Sequence, residues 1–121
     1  MKENIIIDNK EIGLGKEIYI AVEVGTTCNG DVATAKKLIE GAKNAGVDAI
    51  KFQIVGRGEV HSDHSVMFNY KTYSGEEKQE NLVEMLKKYQ FTLDEWKEIK
   101  EHANKHGITI FYTVNHMGAI D

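Results

Sequence analysis

A chain of 121 residues, 41% hydrophobic and 28% charged, has the length and apolar content of one soluble globular domain. Its net charge of −4, with acids and bases interspersed, excludes a basic nucleic-acid face and a polybasic membrane patch. The single cysteine, Cys28, cannot form an internal disulfide, which points to the cytoplasm, and the apolar run Ile5 to Ile7 is too short for a signal-peptide core or membrane span.

The chain opens with Asn4 to Asp8 and Ile12 to Gly15 around Asp8-Asn9-Lys10, the chemistry of a short β-hairpin at about 4–15. Glu17 to Val24 is a nearly continuous apolar run with the pattern of a strand covered on both faces. Asp31 then offers an N-cap. Val32, Ala35, Leu38, Ile39, Ala42 and Ala45 recur at helical spacing up to a stop at Gly46. Asp48 to Val55 reads as a second strand, which completes a parallel crossover unit. Residues 56–79 lose all periodicity and read as a long loop with a role in binding. Asn81 to Tyr89 is predicted helical. Thr92 and Glu95 form a capping box for a helix carrying Trp96, Ile99 and Ala103, ended by Gly107, and Ile108 to Thr113 is the third strand. Met85 and Leu86, with Trp96 and Ile99, are expected to face the core.

This order indicates an α/β parallel sheet, either doubly wound or part of a (β/α)8 barrel, and spacing does not choose between them. A full barrel takes ~250 residues, so a barrel would be represented here by a hairpin and about three β/α units.

Active sites of such folds gather at the carboxyl ends of the strands, so polar residues intruding into apolar runs there are the candidates. Glu23 lies one residue from the end of the first run, where burying an unpaired carboxylate would cost on the order of several kcal/mol. Lys51 and Gln53 are two apart in Ala49-Ile50-Lys51-Phe52-Gln53-Ile54, so they share one side of the strand opposite Ile50, Phe52 and Ile54. A lysine there suits a phosphate or carboxylate, and an adjacent amide suits hydroxyl groups. A purely structural Glu23–Lys51 ion pair is the alternative.

Gly25 to Asp31 supplies a turn whose backbone N–H groups and following helix start suit an anion, although it is neither a dinucleotide nor a P-loop glycine pattern. Gly30 as a turn residue and Asp31 as an N-cap are the simpler readings. Of the five histidines, His102 and His106 share one helix face but lack a third ligand, so they read as surface residues and no metal ligand is assigned. His61 and His64 lie in the long loop, within reach of a ligand or simply solvated, and His116 has no partner set.

The stretch from Ala21 to Gln53, with Glu23-x-Gly25, Asn29-Gly30-Asp31 and Lys51-Phe52-Gln53 in order, resembles the opening of the N-acetylneuraminate (sialic acid) synthase family. The likeness continues from Glu84 to Thr113, through a helix pair and a last strand ending in threonine. The resemblance implies a (β/α)8 TIM barrel of which residues 1–121 are the N-terminal portion, extended in complete members by a small antifreeze-like domain. It implies condensation of phosphoenolpyruvate with an N-acetylated hexose aldehyde to give a nonulosonic acid of the sialic, legionaminic or pseudaminic type, with release of phosphate. It further implies a divalent metal, manganese or magnesium, that polarises the aldehyde, and a homodimer of the complete enzyme.

By the same resemblance, Glu23 is the active-site glutamate that handles a proton or a sugar hydroxyl, and Lys51 binds phosphoenolpyruvate. Gln53, Thr113 and Asn29 contact substrate. Thr27 and Cys28 replace the family's usual Asn-His, and Val114, Asn115 and His116 replace Pro-Phe-Asp. The family's metal-binding histidines and sugar-anchoring arginine belong to later parts of the fold, so these 121 residues alone are not expected to complete the reaction. Two other readings are a non-catalytic remnant that binds an anionic sugar or a partner chain, and a related aldolase-type synthase.

Overall fold

The computed structural model describes residues 4–55 and 62–120. A hairpin of β1 (Ile5–Ile7) and β2 (Lys10–Ile12) comes first. Its two-residue turn, Asp8-Asn9, has φ of 49° and 65°, the left-handed geometry that matches the twist of a tight hairpin and that aspartate and asparagine tolerate.

Three strands then build one parallel sheet: β3 (Ala21–Gly25), β4 (Ala49–Ile54) and β7 (Thr109–Val114), in the order β3-β4-β7. Between them run α1 (Val32–Asn44), a second hairpin of β5 (Met67–Lys71) and β6 (Glu77–Asn81), α2 (Leu82–Lys88) and α3 (Leu93–Lys105). Consecutive strands that step across a sheet in one direction by right-handed crossovers place their helices on the same face. α1 and α3 do so: Ala35, Ile39 and Ala42 of α1 and Ile99 and Ala103 of α3 share one core with Val24, Ile50 and Phe52 of the sheet. This is the winding of a barrel wall and equally of one half of a doubly wound sheet, so three strands alone leave both architectures open.

The predicted caps form. Asp31 accepts from the backbone N–H of Ala33 and Thr34 at 3.2 and 3.0 Å. Thr92 Oγ1 accepts from Glu95 N at 3.3 Å while Glu95 Oε2 accepts from Thr92 N at 2.7 Å, a reciprocal box. Gly46 and Gly107 follow the two long helices with φ of 76° and 63°. Trp96 packs edge-on against Phe52, Phe91 and Tyr112 at centroid distances of 6.0, 4.8 and 5.2 Å, which extends the core toward the strand ends. Burial there pushes the Tyr112 hydroxyl up to about 12.

Three expectations need correction. The first core strand begins at Ala21, not Glu17, and is covered on one face only: Ile18 and Ile20 are exposed, as are Ala21 and Glu23. Ala45 caps α1 in an exposed position instead of extending its apolar face. The segment read as a loop contains the β5–β6 hairpin, in which Asn69 pairs with Gln79, joined by a 2.8 Å side-chain bond, and Lys71 pairs with Glu77. Its side chains are mostly solvent-facing, Met67 and Phe68 included, so cross-strand pairs set the register in place of a buried alternation.

The first hairpin closes the amino ends of the sheet. Lys10 Nζ reaches both carboxylate oxygens of Asp48, at 2.9 and 3.1 Å, and Asp48 accepts the Ile20 backbone N–H at 2.7 Å. Those contacts, the Ile20 N–H first, hold the Asp48 carboxyl below its usual range. Asp8 accepts from Thr109 Oγ1 and Tyr19 OH at 2.6 and 2.7 Å, and these bonds lower its carboxyl in the same way. Among the described residues no helix is long and apolar enough to cross a membrane.

Candidate active site

At the carboxyl half of the sheet the described residues leave the face opposite the helices uncovered, and parity decides what stands on it. Parallel neighbours in register point the same way. Glu23 is paired with Lys51, Lys51 with Phe111, and Gln53 with Thr113. Hence Glu23, Lys51, Gln53, Phe111 and Thr113 lie on one face at the carboxyl half of three adjacent strands, while Val22, Ile50, Phe52, Ile110 and Tyr112 face the helices. Four of the five residues singled out in the sequence are thereby brought together. Phe111, 40% exposed beside Lys51, was missed, although its place two residues before Thr113 gives it the same parity.

Lys51 Nζ lies 2.5 Å from Glu23 Oε2, and the two side chains are 30% and 55% exposed. Glu23 is therefore paired and solvated, and the desolvation cost expected for it does not arise among these residues. Between Glu23 and Gly25 the register slips by one residue, so Val24 is an extra residue that drops into the core while Gly25 pairs with Phe52. A bulge at a strand end bends the chain away from its partner. Gly25, at φ 56°, allows that bend directly beside Glu23.

The turn that follows is tightly bonded: Thr27 N to Val24 O at 3.1 Å, Asn29 N to Thr26 O at 3.0 Å and Asp31 N to Cys28 O at 2.9 Å. Asn29, the fifth candidate, is exposed at φ 52°, on this turn and not on the sheet face. Cys28 is 2% exposed inside the core, and burial pushes its thiol up, which suits packing and not nucleophilic chemistry. Gly30, at φ 71°, passes so close to α2 that an added Cβ would stand 2.3 Å from the Lys88 carbonyl oxygen.

These distances carry a stability prediction. Gly30→Ala and Gly46→Ala both place an L side chain in the left-handed region, at about 1–2 kcal/mol. At Gly46 nothing lies within 4 Å of the new Cβ, whereas at Gly30 backbone must move. Urea denaturation should therefore show Gly30→Ala to be destabilising by clearly more than Gly46→Ala. Equal losses would mean that the turn and α2 do not pack as described.

At the carboxyl ends of β4 and β7 a groove lined by Gln53, Val55, Gln90, Phe91, Trp96 and His116 adjoins the site face, with Gln90 Nε2 donating to the Val55 carbonyl. Another cleft lies at the far end of the sheet, between the first hairpin and the strand starts, among Lys10, Lys43, Asp48 and Thr109. In parallel α/β folds that end serves stability, so the first groove is the one that belongs with the site. His61 lies outside the described residues. His64 is exposed, and its backbone carbonyl accepts from Asn81 Nδ2 at 2.8 Å.

His102 and His106 are not simple surface residues. Both are half-buried, and a third group does stand beside them: Glu40 of α1, with Oε1 3.0 Å from His102 Nε2. No spacing in the sequence links Glu40 to a helix about sixty positions later; only the packing of α1 on α3 does. Among the described residues this is the one group of three or more donors suited to a metal ion, and it lies on the helices, away from Glu23 and Lys51.

A model of the NeuB family matches residues 38–121. An uncharacterized protein of Methanocaldococcus jannaschii is 32% identical over 92% of this chain and 28% of its own length. The N,N'-diacetyllegionaminic acid synthase of Campylobacter jejuni is 33% identical over 88% of this chain and 31% of its own. The crystal structure of an N-acetylneuraminic acid synthetase from Leptospira borgpetersenii, in complex with citrate, superposes with a TM-score of 0.75 at 24% identity over 98% of this chain and 36% of that one. The chain thus has the fold of the N-terminal part of the sialic acid synthase barrel and spans about a third of the length of the proteins it matches.

Proposed function

The chain belongs to the NeuB family, and from that premise we propose that the protein carrying it joins phosphoenolpyruvate to an N-acetylated hexose aldehyde to make a nonulosonic acid. Residues 1–121, the N-terminal portion of the barrel behind its hairpin, supply the phosphoenolpyruvate side of the site. The observation that supports this most is the shared face of Glu23, Lys51, Gln53 and Thr113 at the carboxyl ends of adjacent strands.

In this reading the enol carbon of phosphoenolpyruvate bonds to the aldehyde carbon, water adds to the carbon that bears the phosphate, and phosphate leaves. Lys51 holds the phosphate or carboxylate as a point charge, which its 2.5 Å contact with Glu23 aims across the sheet face. Glu23 is placed to take a proton or bind a sugar hydroxyl once the anion has claimed the lysine. Gln53 and Thr113 offer an amide and a hydroxyl side by side on neighbouring strands, and Asn29 closes the rim from the β3–α1 turn.

A manganese or magnesium ion would polarise the aldehyde, but the residues present do not fit one here. Glu23 is ion-paired and belongs to no donor group of three among the described residues. The metal's ligands and the sugar-anchoring arginine would come from later parts of the barrel, the complete enzyme is proposed to be a homodimer, and the cytoplasm is the proposed location.

The test is phosphate release from phosphoenolpyruvate by the protein encoded by the complete reading frame, supplied in turn with a panel of N-acetylated hexoses. Hexose-dependent release is the expected result. Release without hexose would sink the assignment, and no release with any of them would favour the non-catalytic remnant, for which the Cys28 and Val114 to His116 departures speak.

A further inference from the structure

The outer layer of the fold holds a second chemical feature, independent of the proposed synthase site. His102, in the last turn of α3, and His106, its C-cap, present their rings at a centroid distance of 4.3 Å, tilted by 39°. Glu40, on the third turn of α1, meets them from the neighbouring helix, and one donor atom from each of the three residues lies within 4.8 Å of the others. The helix contact that brings them together is reinforced by Lys36 and Glu98, 2.5 Å apart one turn earlier on the same two helices.

The hydrogen bonding of His106 leaves one ring nitrogen available to a metal ion. His106 Nδ1 lies 2.9 Å from the His102 backbone carbonyl. A carbonyl only accepts, so Nδ1 carries the proton and Nε2 presents the ring's lone pair. A histidine whose other nitrogen is tied to a carbonyl is held in the tautomer and orientation that metal ligation requires. His102 Nε2 lies 3.0 Å from Glu40 Oε1, which accepts its N–H, so a metal ion would take the place of that proton between the two groups; the His102 side chain is only 18% exposed. Tetrahedral bonds of about 2.1 Å put donor atoms about 3.4 Å apart, so an ion between these groups asks for small side-chain adjustments and no backbone movement.

We propose that Glu40, His102 and His106 bind a divalent transition metal of the imidazole-preferring class, with zinc as its representative and water filling the remaining position. Two imidazoles and one carboxylate select zinc, nickel or copper over the harder magnesium and calcium ions, which take all-oxygen sets. The site lies toward the carboxyl ends of α1 and α3, which lead into the amino ends of β4 and β7. The ion therefore sits at the opposite end of the layer from Glu23 and Lys51, and its role is to cross-link the two helices that carry the core. It does not replace the active-site metal discussed above.

The experiment uses the untagged chain, stripped with a chelator and dialysed, so that no added histidines compete. Calorimetric titration with zinc chloride should show one ion bound per chain. Cobalt(II) should give the visible bands of a four- or five-coordinate nitrogen–oxygen site. Glu40→Gln and His106→Gln should each weaken zinc by at least about 10–100-fold, and His102→Gln/His106→Gln should abolish the site. Zinc should raise the thermal midpoint of the parent and not of the double variant, while magnesium at the same concentration should leave both unchanged. Absence of zinc binding to the folded parent would overturn the proposal. So would undiminished binding by the folded double variant, which would place the ion on other side chains.

Discussion

Lys51→Ala is expected to lower kcat/KM for phosphoenolpyruvate by about 10²–10³-fold in the complete enzyme, the cost of removing one preorganised charged donor from a reacting anion. Most of the loss should appear in KM, because in the proposed reading the ammonium meets the phosphate or carboxylate in the ground state as well as in the transition state. The substitution has a second consequence. It leaves the Glu23 carboxylate, 2.5 Å away in the parent, without its counter-charge and facing the incoming anion. Lys51→Arg keeps the charge but replaces a compact ammonium with a planar fork, so it should recover part of the affinity and not all of it. The competing view, a structural ion pair with no ligand, makes the opposite forecast. The two side chains are 30% and 55% exposed, and pairs of that exposure contribute about 0–1 kcal/mol to stability. Lys51→Ala would then leave phosphoenolpyruvate affinity unchanged and shift the unfolding midpoint only slightly. Calorimetric titration with phosphoenolpyruvate, read beside a urea melt of the same variant, separates the two.

The parts of this site that could be read before any coordinates are those set by short-range rules. Parity alone put Lys51 and Gln53 on one side of β4 and Phe52 on the other, and β4 pairs in register with β3 up to Glu23 and with β7 throughout. The caps at Asp31 and Thr92 and the glycine stops at Gly46 and Gly107 follow from local backbone chemistry and formed as expected. What escaped depends on groups distant in sequence. Glu40 meets His102 only because α1 and α3 lie on the same face of the sheet. The β5–β6 hairpin has no buried face, so its sequence carries no alternation to detect. Glu17 to Ile20 looked like buried strand because apolar content signals burial without naming what does the covering, and the described residues expose Ile18 and Ile20.

Phe52→Ala should be the most destabilising single substitution on the sheet, at about 3–5 kcal/mol, against a total stability of about 5–15 kcal/mol for an ordinary domain. Phe52 is fully buried on the central strand, and its ring meets Trp96 edge-on at 6.0 Å. Truncation removes that contact and opens a cavity beneath both helices. Phe111 provides the control. It lies one strand over on the opposite face and is 40% exposed, so Phe111→Ala loses less buried area, opens no enclosed cavity and should cost clearly less. The pair therefore measures which face of the sheet is core in this chain, by urea denaturation midpoints at unchanged slope. Similar losses at the two positions would mean that the bare face is covered in solution and that the Lys51 side is not open to a ligand. A large loss at Phe52 with a clearly smaller one at Phe111 ties stability to one face and leaves the other, with Glu23, Lys51, Gln53 and Thr113, free for chemistry. That division has a functional consequence. Because Phe52 lies between Lys51 and Gln53 in the chain, its anchorage in the core holds the backbone from which both site residues project. Even where Phe52→Ala still folds, it should weaken phosphoenolpyruvate binding without altering any group that touches the ligand.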